Sequence, residues 1–151
     1  MTLYTVLSFL SLPLLFLLFV WRFGLKKTLA GLSERSGMDL VSSGEADGRP
    51  AVWFHASSVG EVKAVQPLIA AFRQRNPRLR IFLTTTTVNG KALAGKACMA
   101  DEVRLAPLDF KGCVRRLIDR WKPKMVVLVE TEIWPQWIVA FSENAVPVLV
   151  V

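Results

Sequence analysis

An α/β fold with a mostly parallel sheet, preceded by one transmembrane helix, is the architecture predicted for this 151-residue sequence. Three observations predict it. The first 21 residues carry no charged side chain. From residue 50 onward, short apolar runs rich in β-branched and aromatic residues alternate with single stretches of helical spacing. That is the pattern of strands joined by crossover helices in a doubly wound, Rossmann-like sheet. Finally, the Ser, Thr and Glu clusters fall just after the apolar runs, at the strand ends where such sheets bind ligands.

Residues 3–21, LYTVLSFLSLPLLFLLFVW, are uncharged throughout. As a helix they extend about 28 Å, close to the hydrocarbon thickness of a bilayer. Pro13 would break a soluble helix but is tolerated in a transmembrane one. A cleaved signal peptide would carry a basic segment before the apolar run and a small-residue cleavage site after it. Neither is present, so residues 1–22 are assigned to a retained anchor. Arg22, Lys26 and Lys27 follow the run and place the rest of the chain on the cytoplasmic side, where they can pair with anionic lipid. Residues 23–49, with Gly31, Gly37, Gly44 and Gly48 among mixed charges, predict a short helix near 25–36 and then a linker.

The α/β domain is assigned to residues 50–151. AVWFHA at 51–56 reads as a buried strand, and Val62, Val65, Leu68, Ile69 and Phe72 mark a helix over 61–75 that Pro77 closes. IFLTTTT at 81–87 is the second strand, followed by an Asn89-Gly90 turn and a helix. Residues 103–106 form a third strand, a helix follows from Asp109, and MVVLVE at 125–130 is the fourth strand. Pro135 opens the next helix, and PVLVV at 147–151 is a fifth strand. An uncapped apolar strand at the chain's end predicts a continuation in the complete protein.

The formal net charge of +7 favours an anionic partner without choosing among nucleic acid, membrane and phosphorylated substrate. Cys98 and Cys113 are too far apart for a CxxC motif, and a single histidine excludes a His-rich metal site. Reduced thiols and no metal or other cofactor are expected. Arg73, Arg75, Arg78 and Arg80 form one basic group, and Lys111, Arg115, Arg116, Arg120, Lys122 and Lys124 another. Solvated faces explain most such runs. With an anchor upstream and no nucleic-acid motif, an anionic leaflet is favoured over nucleic acid.

Three strand-end segments can carry chemistry. In His55-Ala56-Ser57-Ser58-Val59-Gly60-Glu61, Gly60 permits close backbone approach or positive φ, and the following helix aims free N–H groups at an oxygen-rich ligand. Glu61 at that mouth could accept a proton from a hydroxyl. Ser58-x-x-Glu61 is equally a capping box, and spacing alone favours that reading. His55 reads as a satisfied strand-end residue rather than a base. Glu130-Thr131-Glu132-Ile133-Trp134-Pro135 offers two carboxylates, Glu130 the better placed, or simply favourable neighbours of a helix N-terminus. Thr84-Thr85-Thr86-Thr87 could bond a sugar or phosphate, although threonine also suits a strand, and neither Walker A spacing nor GxGxxG is present.

HASSVGE, Gln66-Pro67-Leu68-Ile69, TTTTVNG, Pro107-Leu108-Asp109, Lys122-Pro123-Lys124 and ETEIWP resemble, in order and spacing, the 3-deoxy-D-manno-octulosonic acid (Kdo) transferases. Ser33-Glu34-Arg35-x-Gly37 extends the likeness upstream. The resemblance implies the N-terminal half of a GT-B fold, whose two Rossmann-like domains face each other across a cleft. This half would bind the lipid A precursor, and the second domain, missing here, would bind the donor CMP-Kdo. It also implies a metal-independent, inverting transfer at the bacterial inner membrane, with Glu61 as the base and Glu130 stabilising the transition state. Ser58, Gly60, Thr86, Arg115 and Arg116 are the candidate acceptor-binding residues. Val88-Asn89 departs from the family's usual Pro-Thr before Gly90. A truncated, non-catalytic module that holds lipid or membrane is the alternative, and a GT-B enzyme acting on another lipid acceptor is a third reading.

Overall fold

In a computed structural model, residues 11, 13–14, 17–18, 20–22, 25–39, 48–97, 99–130 and 133–151 are described. Most of the expected anchor, the middle of the expected linker, Cys98, Thr131 and Glu132 lie outside them. Among the described residues no helix is long and apolar enough to cross a membrane. The first described helix, α1, is Leu25–Ser36. Gly37 at φ 69° ends it, with its N–H on Glu34 O and the Met38 N–H on Ser33 O. Those two bonds form a Schellman stop, which fixes where the last turn points.

Five strands follow: β1 (Ala51–His55), β2 (Arg80–Thr85), β3 (Glu102–Leu105), β4 (Met125–Leu128) and β5 (Val148–Val150). All neighbouring pairs are parallel, in the order β3-β2-β1-β4-β5. The helices between them are α2 (Val59–Arg75), α3 (Val88–Lys96), α4 (Lys111–Trp121) and α5 (Pro135–Glu143). The expected α/β, Rossmann-like sheet is therefore present.

Alternate side chains of the strands feed two cores. Trp53, Phe82, Val126 and Leu128 join Leu117 and Trp121 of α4 and Trp137 and Phe141 of α5. Val52, Phe54, Ile81, Leu83 and Val127 join Val62, Val65 and Ile69 of α2 and Ala94 of α3. Covered on both faces, β1 is buried at every position. The first core is aromatic: Phe82 stacks on Trp121 at 4.6 Å, and Trp53 meets Trp121 edge-on at 5.0 Å. Each such pair contributes about 1 kcal/mol beyond its burial. Packing also holds α2 together across Pro67, an interior position where proline costs a helix about 3 kcal/mol.

β2 and β4 each end two residues before the sequence expectation, and β1, β3 and β5 one residue before it. β2 stops at Thr85, because Thr87 turns out to cap α3, its hydroxyl accepting the Gly90 N–H at 3.1 Å. Asn89 and Gly90 thus form the first turn of a helix rather than a separate turn. Gly90 is needed there for space: a Cβ would collide with Thr85 Oγ1 and stand 2.9 Å from Thr87 Oγ1. β4 stops at Leu128, and Glu130 turns out of the sheet at φ 60°.

Candidate functional site

The chain runs from β1 outward to β2 and β3, then returns to lay β4 on the other side of β1. The connections leaving β1 and β4 therefore diverge. A crevice opens at this switch point outside the carboxyl ends of the strands, and open α/β sheets bind ligands there. Glu61 follows β1 and Glu130 follows β4, so the topology brings these two candidates to one edge. The strands are in register, His55 opposite Leu128, and the Val129 N–H donates to His55 O at 2.9 Å.

Glu61 sits in the first turn of α2 and is buried. Ser58 is the N-cap, its hydroxyl accepting the Glu61 N–H at 3.2 Å, and Glu61 Oε2 accepts the Ser57 N–H at 2.7 Å. This is a capping box shifted by one residue, since the returning carboxylate reaches the amide before the cap rather than the cap's own. Only one carboxylate oxygen is used in this way. Among the described residues, the other makes no hydrogen bond. Gly60 needs neither positive φ nor unusual space, because a Cβ there would meet only Ser58 Oγ, at 3.6 Å. Of the two expectations for Gly60, positive φ is therefore corrected.

Glu130 is held differently. Its side chain is exposed, its backbone is left-handed, and its N–H donates to Val151 O at 2.8 Å. A non-glycine residue in that region is strained by about 1 kcal/mol or more, a cost often found at functional loops.

The threonines divide by position. Thr84 is buried between Trp53 Nε1 at 2.8 Å and His55 Nδ1 at 3.0 Å, which makes it part of the core. Thr85 donates to Ser57 O at 3.1 Å. Thr86 Oγ1 is covered and, among the described residues, has no hydrogen-bond partner. An unpaired hydroxyl next to the Ser57 loop is a feature that a bound polar group could relieve.

His55 is fully buried, with its ring 4.8 Å from Trp137. Burial lowers its pKa to about 4 against a favourable hydrogen bond at Thr84, and the Arg35 charge lowers it further. The ring is neutral near pH 7 and lies inside the sheet, which agrees with a structural residue rather than a base. Cys113 is likewise a buried core residue of α4, its thiol pKa raised by burial although Arg116 opposes the shift.

Arg115 is exposed on α4, while Arg116 donates to Ser36 O at 2.8 Å and so caps the end of α1. The basic residues Arg78, Arg80, Lys122 and Lys124 lie at the opposite edge, where the strands begin. A surface hollow of about 440 Å³ lined by Lys122, Pro123 and Lys124 is also there, away from both glutamates. Among the described residues no three His, Cys, Asp or Glu side chains gather as metal ligands would.

Spacing did not mark Glu34 and Arg35 as site residues. α1 packs its C-terminal turn over the same edge, and Arg35 donates to Thr86 O at 2.6 Å and to Ala106 O at 3.1 Å. Glu34 accepts from the Leu105 N–H at 2.8 Å and from Lys91 Nζ at 2.5 Å. Arg104 pairs with Asp39 beside them. The available signal was the charged pair set just before a helix-stopping glycine.

The fold and this edge define an α/β, Rossmann-like domain with two carboxylates beside its switch point, one buried and one exposed. Residues 29–151 match the family described as 3-deoxy-D-manno-octulosonic-acid transferase (kdotransferase), and the chain belongs to that family. It is 39% identical over 106 residues to the 3-deoxy-D-manno-octulosonic acid transferase of Bordetella pertussis, covering 66% of this chain and 24% of that protein. The transferase of Rickettsia bellii is 30% identical over 137 residues, covering 89% of this chain and 32% of its own. A probable mitochondrial one from Arabidopsis thaliana is 34% identical, covering 64% and 22%. The matched stretch thus spans about a quarter to a third of these relatives' lengths.

Proposed function

We propose that this chain is the acceptor-side part of an enzyme that transfers Kdo from CMP-Kdo to a lipid A precursor during lipopolysaccharide synthesis. One observation carries the reading: Glu61 and Glu130 leave the two strands that flank the switch point. Glu61 takes the proton from the acceptor hydroxyl as that oxygen attacks the anomeric carbon of the donor, while the bond from that carbon to the phosphate oxygen breaks and CMP leaves with the electron pair. Its Oε2 is anchored on the Ser57 amide, which orients the carboxylate while its second oxygen accepts the proton. The capping role and the base role are thus compatible. Glu130 faces the developing positive charge on the sugar.

Ser58, Gly60, Thr86, Arg115 and Arg116 border the acceptor, with Thr86 Oγ1 offering an unused hydrogen bond and Arg115 a charge for a lipid phosphate. Arg116 contributes through the α1 contact. The donor binds a second domain, no metal takes part, and the uncharged residues 3–21 hold the chain at the cytoplasmic face of a bacterial inner membrane. Anionic lipids of that leaflet pair with the juxtamembrane cations.

The test combines lipid A precursor and CMP-Kdo with the chain alone and with a C-terminal donor-binding fragment. Transfer is expected only with the fragment, and Glu61→Ala is expected to abolish it while lipid binding remains. Robust transfer by the chain alone would contradict the two-domain reading. One rival is a lipid-holding module without turnover. Binding of the precursor with no rescued transfer would establish that rival instead.

A further inference from the structure

Arg35 belongs to a helix that precedes the sheet, yet a continuous line of hydrogen bonds leads from it to the Glu61 carboxylate. Its Nη2 donates to Thr86 O at 2.6 Å, the Thr86 N–H donates to Ser57 O at 3.1 Å, and the Ser57 N–H donates to Glu61 Oε2 at 2.7 Å. We propose that Arg35 is a positioning residue for Glu61, holding the 86–87 and 57–58 loops together so that the carboxylate keeps one oxygen on an amide and turns the other outward. The inference rests on the transfer reading for what Glu61 does, but not for how Glu61 is held.

Three features support it. Arg35 is a two-point clamp, since Nη1 reaches Ala106 O at 3.1 Å while Nη2 holds Thr86. A planar guanidinium with several fixed donors suits two carbonyls at the ends of neighbouring strands, whereas a lysine ammonium is a point charge with flexible reach. The clamp is also held from outside. Gly37 stops α1, Arg116 caps Ser36 O, the Leu108 N–H donates to Arg35 O at 3.1 Å, and Glu34 is tied to the Leu105 amide. Last, the Ser57 carbonyl accepts from both the Thr86 N–H and Thr85 Oγ1 at 3.1 Å, so the middle of the line has no slack. A carboxylate whose only described anchor is the Ser57 amide depends on where that peptide sits.

The test uses Arg35→Met, which keeps the apolar stem and removes the donors, and Arg35→Lys, which keeps the charge. In transfer supported by the donor-binding fragment, Arg35→Met should lower kcat by about ten- to a hundredfold with the acceptor KM changed less than about twofold. Arg35→Lys should recover part of that loss. Amide exchange in the same proteins should be about tenfold faster at Ser57 in Arg35→Met, with the Trp53 and Phe54 amides of β1 unchanged. Unaltered Ser57 exchange overturns the proposal, as does faster exchange at Trp53 and Phe54 to the same degree, which would mark Arg35 as a general fold contact. Equal losses in the Met and Lys variants would also overturn the two-point clamp. If the unsubstituted protein transfers no Kdo even with the donor-binding fragment, the functional reading fails, and Ser57 exchange still decides the positioning claim.

Discussion

Glu61 and Glu130 leave adjacent strands at one edge of the sheet but are secured by opposite means. Glu61 is buried in a helix turn and fixed through its side chain, with Ser58 and Ser57 closing a hydrogen-bonded ring around it. Glu130 is exposed and secured through its backbone, in a left-handed conformation pinned by one bond to Val151 O. A group that must remove a proton benefits from a fixed lone pair. A group that answers a developing charge needs only to face it, and a strained turn can supply that direction.

The largest expected effect separates the two chemically. In transfer supported by a donor-binding fragment, Glu61→Gln should cost about 10²–10⁴-fold in rate. Its melting curve should hardly move, because the new amide oxygen can still accept from Ser57. Glu130→Gln should cost about 10²-fold, the scale of one electrostatic contact in a transition state. Equal losses would remove the distinction between base and stabiliser.

The next effect concerns His55, whose backbone joins the two loops through the Val129 N–H. Its pKa of about 4 in the fold, against an ordinary 6.5, means that the unfolded chain takes up a proton at higher pH than the folded one. Its contribution is therefore complete above pH 6.5, is lost as pH falls toward 4, and is constant below that. The full loss is about 3 kcal/mol. Denaturant titrations at pH 7 and at pH 4 should show the protein losing about this much more stability than His55→Gln, and equal losses would show that the ring takes up its proton in the fold as readily as in the unfolded chain.

Two smaller effects test the means of support directly. Ser58→Ala removes the cap and should lower stability by about 1 kcal/mol in chemical denaturation. Glu130→Gly should do the reverse, raising stability by up to about 1 kcal/mol as the left-handed strain disappears, while transfer falls. A loss of stability in Glu130→Gly would mean that the side chain, not the backbone, secures that turn.

The parallel sheet was legible because strands covered on both faces must be apolar along most of their length, as AVWF and MVVL are. The ends were less so. Asn89-Gly90 carries a strong turn signature, but Thr87 offered a competing helix cap, and the close pass of Gly90 over Thr85 explains the glycine. Ser58-x-x-Glu61 left open whether Glu61 caps or reacts, and the structure shows the cap made through one carboxylate oxygen. Arg35 could not be found from periodicity, because its partners are main-chain carbonyls far along the chain, and carbonyls have no residue type.

That separation also has a consequence in time. Arg35 bonds to Thr86 and Ala106 across 51 and 71 positions. During synthesis α1 leaves the ribosome long before either carbonyl exists, so the clamp closes only after β1, β2 and β3 have been laid side by side. For a contact that forms after the folding transition state, loss speeds opening more than it slows folding. Arg35 would then act as a latch on the completed edge, setting how long the assembled edge stays closed rather than how quickly it forms.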